Sequence, residues 1–173
     1  MRTIKVILLL TAISFLSCKK ESEEQCKSEF EVHEFLQLVL NGQYHSWDLL
    51  PIFCPDDIPI LLKYANDFQE IQSFPHNPVS SYLPPRLTLG ECILWTIEAI
   101  KKNYNTDHWY YPSYHPVLCK DGSESNPGEG LLNEQELNEV YELYFDWWSD
   151  YQINKLDTYY KKDVLSDSGF HWI

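Results

Sequence analysis

The fold class is decided by the stretch from Thr88 to Ile100, which reads TLGECILWTIEAI. Thr88 and Glu91 have the spacing of a capping box, in which two side chains satisfy backbone N–H groups at the start of a helix. The apolar side chains that follow recur at steps of three and four residues: Leu89, Ile93, Leu94, Ile97 and Ile100. The stretch therefore predicts an amphipathic α-helix that ends near Asn103.

Further helices are predicted on either side of this one. Two of them cover residues 28–40 and residues 154–162. Another begins at Asp57 and has Pro59 in its first turn. The longest begins with a second capping box, formed by Asn133 and Glu136. No convincing alternation of apolar and polar residues indicates a strand. The predicted fold class is all-α, a small irregular helical domain of about five helices with long proline- and aromatic-rich loops.

The longest predicted helix carries an apolar stripe. Its members are Leu137, Val140, Tyr141, Tyr144, Phe145, Trp148 and Tyr151. A stripe at this spacing is normally buried against neighbouring elements. We therefore expect Phe145 and Trp148 to pack in the core, and we expect the same of Trp95. Glu91 is interpreted as a cap and Glu98 as a surface charge.

The loop from Tyr104 to Gly130 is the main candidate for a ligand or partner surface. It holds a cluster of four rings and a histidine: Trp109, Tyr110, Tyr111, Tyr114 and His115. Loops of this length in a small domain are commonly functional, and their aromatic side chains stack on sugar rings or anchor a protein partner. Packing of these rings onto the helices is the alternative.

The N-terminus has the pattern of an export signal. Arg2 and Lys5 precede an apolar run from Val6 to Leu16, which is too short to span a bilayer stably. Cys18 follows this run and opens a strongly charged stretch. Phe15 stands where ordinary signal cleavage needs a small residue, so release into solution fits poorly.

This segment resembles a bacterial lipoprotein signal, in which the cysteine becomes the acylated first residue. The resemblance implies a signal peptide over residues 1–17, lipidation of Cys18 and an outer-membrane lipoprotein of the cell envelope. Several acyl chains hold a protein on a membrane stably, whereas one does not. Residues 18–27 are expected to be a flexible acidic tether and residues 28–173 a single helical domain. The tether also resembles the export signal of surface-exposed Bacteroidetes lipoproteins; a plain polar linker is the alternative.

The charge balance argues against nucleic acid as a partner. The chain has 13 basic and 26 acidic residues, a formal charge of −13. Without Arg2 and Lys5, 11 basic residues remain against the 26 acidic ones, which gives −15. Phosphate backbones repel such a chain.

The remaining cysteines leave the redox state open. Cys26, Cys54, Cys92 and Cys119 allow two disulfides in an exported protein, with three connectivities. Cys92 falls in an apolar helical pattern, where a buried thiol is expected. No cysteine or histidine spacing indicates zinc.

No motif of an enzyme, cofactor site or metal site is found. His33 and Glu34 begin like a zinc-protease helix, but Gln37 stands where the second histidine is required. The segment 121–126 has alternating oxygen ligands, yet the glycine and closing glutamate of a calcium loop are missing, so we interpret it as a polar turn. We predict no cofactor, no metal and no catalytic residue.

Three segments resemble a family of Bacteroidetes lipoproteins that carry a domain of unknown function. They read DIPILLKY at 57–64, FPHNPVSSY at 74–82 and LGECILWTIEAI at 89–100, and Trp147-Trp148 belongs to the same resemblance. The resemblance implies no activity, cofactor or catalytic residue. The arrangement of helix, proline loop and amphipathic helix is also similar to one HEAT-type helix pair, an analogy of packing and not of function.

The sequence thus predicts a lipid-anchored cell-envelope protein with a non-catalytic binding or structural role. One alternative is a carbohydrate-binding surface lipoprotein, which requires exposed rings near residues 109–114. Another is a hydrolase whose site forms only in three dimensions, around His76, His108 or His115. The hydrolase requires a cleft that holds a histidine within hydrogen-bond reach of a carboxylate or serine.

Overall fold

A computed structural model describes residues 26, 28, 30–45, 50–75, 86–102, 116–121, 131–155 and 160–173. The predicted all-α fold class is confirmed, because helices dominate these residues. The described residues contain four α-helices: α1 (Val32–Leu40), α2 (Ile58–Leu61), α3 (Leu89–Lys101) and α4 (Glu134–Asn154). Two short strands, β1 (Leu118–Lys120) and β2 (Phe170–Trp172), accompany them.

The N-terminal part is held together by rings and a disulfide. Phe35 of α1 lies 5.0 Å from the ring of Tyr44 and 5.3 Å from that of Phe53, in edge-on contacts typical of aromatic clusters. Cys26 and Cys54 form the disulfide, which decides part of what the sequence leaves open. It fixes the chain ahead of α1 to the start of the next element.

The helix predicted from Asp57 is shorter and less regular than expected. A 3-10 turn at Pro55–Asp57 leads into α2, and a second one at Leu62–Tyr64 follows it. The Asp57 carboxylate accepts hydrogen bonds from the Cys54 N–H at 2.7 Å and the Ser28 hydroxyl at 2.5 Å. Asp57 therefore caps the 3-10 turn, one element earlier than predicted.

Helix α3 runs through the centre of the domain. All thirteen of its residues are buried, including polar side chains that the sequence pattern would place on a wet face. Gly90 is required at its start, since a Cβ there would lie 2.7 Å from the Ala65 carbonyl oxygen. The surface position predicted for Glu98 is wrong: the residue is 6% exposed.

Helix α4 packs one face against α3. Asn133 and Glu136 form the predicted capping box, each side chain accepting a hydrogen bond from the other's backbone N–H. The buried residues of α4 are Leu137, Val140, Tyr144, Trp147 and Trp148. The prediction of a packed Phe145 is wrong, because it is 45% exposed; at 100° per residue it points away from the face that holds Tyr144. Trp95 and Trp148 are buried as predicted.

The two strands were not predicted. They pair antiparallel, with Leu118 opposite Trp172, Cys119 opposite His171 and Lys120 opposite Phe170. Strands of three residues are too short for the period-two pattern to be visible in sequence. Their pairing brings the C-terminal end of the chain beside the C-terminal end of α3, where the candidate site lies.

Candidate functional site

The C-terminal end of α3 carries a buried ion pair. The Lys101 ammonium lies 2.6 Å from Glu98 Oε1, and the side chains of Lys101 and Glu98 are only 4% and 8% exposed. The two residues are three apart, which puts them on one face of the helix. A buried pair of this kind is costly unless further hydrogen bonds satisfy it.

Two aromatic residues extend the ion pair. The Tyr144 hydroxyl donates to Glu98 Oε1 at 2.9 Å. The Trp172 indole N–H in turn donates to the Tyr144 oxygen at 3.3 Å. One continuous chain of hydrogen bonds thus links α3, α4 and β2, and we call these four residues, Glu98, Lys101, Tyr144 and Trp172, the buried polar chain.

The Lys101 ammonium is surrounded by aromatic faces. It lies 4.9 Å from the centre of the Trp147 ring and 5.7 Å from that of Tyr144, within the range of cation–π attraction. Burial lowers the pKa of Lys101 from its usual value of 10.5, and the nearby carboxylates of Glu98 and Asp163 oppose this effect.

Three members of the buried polar chain, Glu98, Lys101 and Trp172, line a cleft of about 700 Å³. The residues that line the cleft are Glu98, Lys101, Lys102, Lys161, Lys162, Asp163, Leu165, Phe170, His171 and Trp172. Lys102, Lys161 and Lys162 are exposed, whereas Lys101 is buried. The cleft therefore has four lysines, one of them buried, against the two carboxylates of Glu98 and Asp163, and it also has an apolar side. Its size suits a small molecule.

A histidine–carboxylate pair lies at the same cleft. His171 Nδ1 is 2.9 Å from Asp121 Oδ1, and the side chain of His171 is 31% exposed. Because His171 pairs with Cys119 across the strands, Asp121 is its diagonal neighbour on the same face. The strand pairing brings together two residues that are 50 apart in sequence.

The other buried carboxylate of α3 lies at the opposite end. Glu91 Oε1 accepts a hydrogen bond from the Leu118 N–H at 3.1 Å, and Glu91 Oε2 accepts one from the Thr88 hydroxyl at 2.5 Å. Thr88 accepts from the Glu91 N–H at 3.4 Å, so its predicted capping role is confirmed. Burial raises the pKa of the Glu91 carboxyl above 4.5, against the lowering effect of these hydrogen bonds and of Arg86.

Two of the described cysteines lie outside the Cys26–Cys54 disulfide, and both are in the core. Cys92 and Cys119 are buried thiols. Burial, and then the nearby carboxylate of Glu91, raise the pKa of Cys92 well above 9.0. A thiol held in its protonated form is a poor nucleophile, so Cys92 acts as a core residue, as predicted.

The site residues predicted from sequence lie elsewhere in the chain. Cys18 and the cluster Trp109, Tyr110, Tyr111, Tyr114 and His115 fall outside the described residues. The same holds for His76 and His108. The predicted ligand surface on the long loop therefore stays a prediction. The candidate site that the described residues form is the cleft at the C-terminal end of α3.

Sequence reasoning missed the cleft because its members look ordinary one by one. A lysine and a glutamate on a helix are usually solvated. The available signal was the scarcity of polar residues in α3, since a helix that is apolar almost all round is buried on every side. Glu98 and Lys101 are then the exceptions that require partners.

Comparison with known families places the domain. The family model of DUF4943, a domain of unknown function, matches residues 27–173. The chain belongs to this family. The DUF4943 domain thus includes all four helices, both strands and the complete lysine-lined cleft. Searches of the curated proteins and of the solved structures find no match for the chain.

Two further features of the described part of the DUF4943 domain concern membranes and metals. Its helices include none with the length and apolar character of a membrane span. Its histidine, cysteine and acidic residues form no group of three or more that is arranged to hold a metal ion.

Proposed function

We propose that this protein is a lipid-anchored envelope protein whose DUF4943 domain binds a small anionic molecule in the lysine-lined cleft, without transforming it. One observation carries the proposal: four of the chain's 13 basic residues line a single cleft, although the chain as a whole has a formal charge of −13. A basic cleft in an acidic protein concentrates anions at that place and repels them elsewhere.

The lining indicates the chemistry of the ligand. Lys102, Lys161 and Lys162 are exposed lysines, whose compact ammonium charges suit phosphate, sulfate or carboxylate groups. Lys101 is fixed by Glu98 and by the rings around it. Trp172 and Phe170 supply an apolar side against which a ring or short aliphatic segment packs. The ligand class is therefore a small molecule with two or more negative groups on a compact apolar frame.

The membrane anchor rests on the N-terminal pattern. Arg2, Lys5, the apolar run and Cys18 support acylation of Cys18 and a place at the outer membrane, with the lysine-then-acidic tether in favour of the Bacteroidetes type of lipoprotein. The tether would hold the cleft near the envelope surface. Incorporation of labelled palmitate into the wild-type chain, and its loss in Cys18→Ser, tests this part.

The binding proposal is tested by isothermal titration with pyrophosphate, citrate and a disulfated disaccharide. Lys161→Glu should weaken binding of the best probe by about tenfold, since one lost ion contact is worth about 1.4 kcal/mol. Lys63→Glu, an equal charge change at an exposed lysine outside the cleft, serves as the matched control. The proposal fails if no probe binds at millimolar concentration, or if both variants weaken binding equally.

A second candidate function is hydrolysis of an anionic ester at the same cleft. The observation in its favour is the His171–Asp121 pair at 2.9 Å beside a lysine-lined cleft. A carboxylate that orients an imidazole prepares it to take a proton from water, and the lysines would stabilise the anionic transition state. Turnover of p-nitrophenyl phosphate or sulfate that His171→Gln abolishes would support this candidate. Equal turnover by His171→Gln and wild type would remove it.

A further inference from the structure

We propose that Lys101 is a carbonyl-capture site, where its amine forms a reversible imine with a small aldehyde that carries a negative charge. This goes beyond the proposed anion binding, which needs only the charge of the lysines. Four observations lead to it: the burial of the amine, its access to the cleft, the adjacent carboxylate, and the hydroxyl that contacts the same carboxylate oxygen.

The position of Lys101 differs from that of the other lysines of the cleft. Its side chain is 4% exposed and lies against the faces of Trp147 and Tyr144, yet it contributes to the cleft wall. Desolvation favours the neutral amine, which is the form that attacks a carbonyl. Lys102, Lys161 and Lys162 are instead exposed at the cleft, and we assign them to binding.

Glu98 is placed to move the protons that imine formation requires. Its Oε1 lies 2.6 Å from the Lys101 nitrogen and 2.9 Å from the Tyr144 hydroxyl. The Lys101 ammonium first gives one proton to the Glu98 carboxylate, which leaves a neutral amine and a carboxylic acid. The Tyr144 hydroxyl donates to this same oxygen and itself accepts a hydrogen bond from Trp172, which fixes the position of the carboxyl group.

The reaction is a condensation without any change of oxidation state. The Lys101 nitrogen attacks the aldehyde carbon, a C–N bond forms, and the nitrogen passes a proton to the former carbonyl oxygen to give a carbinolamine. The Glu98 acid then protonates that hydroxyl group, which leaves as water. The products are a protonated imine and the Glu98 carboxylate, and addition of water reverses the sequence.

The surroundings of the amine define the class of carbonyl compound. The exposed Lys161 and Lys162 favour a negative group on the aldehyde. The groups that set the protonation of Lys101 are Glu98, Asp163 and Lys102, with the rings of Tyr144 and Trp147 from α4. We therefore expect short aldehydes with a carboxylate or phosphate, such as glyoxylate, to react at this position.

The test is reductive trapping on the purified full-length chain. Glyoxylate and cyanoborohydride at neutral pH convert any imine into a stable carboxymethyl-lysine, which peptide mass spectrometry locates. We expect Lys101 to be labelled at least about tenfold faster than the exposed Lys63, and the preference to vanish in unfolded protein. The proposal is overturned if Lys101 is unlabelled or reacts no faster than Lys63.

Variants separate this reactivity from simple binding. Lys101→Arg keeps the charge and cannot form an imine, so it should lose the label at this position while the exposed Lys63 keeps its own. Tyr144→Phe keeps the ring against Lys101 and removes the hydroxyl, so it should slow labelling of Lys101 and leave that of Lys63 unchanged. Circular dichroism checks that both variants are folded. Failure of trapping with intact pyrophosphate binding would remove the imine alone and leave the proposed function standing.

Discussion

Glu91 and Glu98 are two buried carboxylates on the same helix, and their surroundings are of opposite kinds. Glu91, at the start of α3, is held by neutral donors, the Leu118 N–H and the Thr88 hydroxyl. Glu98, two turns later, is held by the Lys101 ammonium and faces a cleft. The first arrangement joins α3 to β1, and the second one places a cation at a wall that a ligand can reach.

Burial alone does not distinguish the roles of Glu91 and Glu98. Measured over the whole residue, both glutamates are at most 6% exposed. Their exposed fractions therefore do not show which carboxylate is completed within the fold and which one lines the cleft. The partners do. The hydrogen bonds to Glu91 come from neutral donors within the protein. The partner of Glu98 is a cation, Lys101, and the other N–H donors of its ammonium lie beside the cleft.

The largest effect on stability is expected at the Glu91 end. Glu91→Ala should lower the free energy of unfolding by about 3 kcal/mol, because it leaves the buried Leu118 N–H and Thr88 hydroxyl without their acceptor. Glu91→Gln keeps an acceptor and should cost about 1 kcal/mol. Urea denaturation measures both. Equal losses in the two variants would show that the side-chain volume, and not the hydrogen bonds, matters at this position.

A smaller loss is expected at the Glu98 end. Lys101→Met leaves the Glu98 charge without its cation, but the adjacent cleft admits water to that charge. We therefore expect the free energy of unfolding to fall by about 2 kcal/mol. Adding Glu98→Gln removes the stranded charge and keeps an acceptor for Tyr144. The double variant should therefore be more stable than Lys101→Met. If it is less stable, the pair is not coupled as the 2.6 Å contact indicates.

The stability that Glu91 contributes is expected to depend on pH. Burial raises the pKa of Glu91 above its ordinary value of 4.5, so the folded chain binds this proton more tightly than the unfolded chain does. Its contribution to stability is complete below about pH 4.5 and is lost as the pH rises through the folded-state pKa. The stability advantage of wild type over Glu91→Gln should therefore shrink as the pH rises above about 4.5. An advantage that grows with pH would contradict the assignment.

The smallest effect on stability is expected at the rim of the cleft. Lys161→Gln changes an exposed side chain, so the free energy of unfolding should stay within about 0.5 kcal/mol of wild type. Thermal unfolding without added anion measures it. A loss as large as that of Lys101→Met would mean that the rim lysines hold the fold, and the division between the two ends of α3 would fail.

Local signals in the sequence predict the helices well. The capping residues Thr88 and Asn133 mark the starts of α3 and α4 to the residue, because an N-cap is decided by neighbours three positions away. The stripe of α4 was predicted less well. Tyr144 and Phe145 are adjacent aromatic residues of the predicted stripe. Only the position of α3 decides that Tyr144 is the buried one.

The candidate site could not be predicted for a different reason. Lys101, Tyr144 and Trp172 come from three elements. The hydrogen bond from Trp172 to Tyr144 depends on the pairing of two strands that are too short to leave a sequence pattern. The same pairing brings His171 to Asp121. The rings of the long loop attract notice in the sequence, whereas the residues that converge at the cleft are common types in ordinary positions.

The central claim is that the lysine-lined cleft at the C-terminal end of α3 is the binding site. The most direct measurement follows the indole N–H resonances of Trp172 and Trp95 by NMR during titration with the anionic probe that binds best. Trp172 lines the cleft, and Trp95 is fully buried in the core. We predict that the Trp172 resonance moves in a saturable way and that of Trp95 stays in place; saturable binding with a stationary Trp172 resonance would contradict the account.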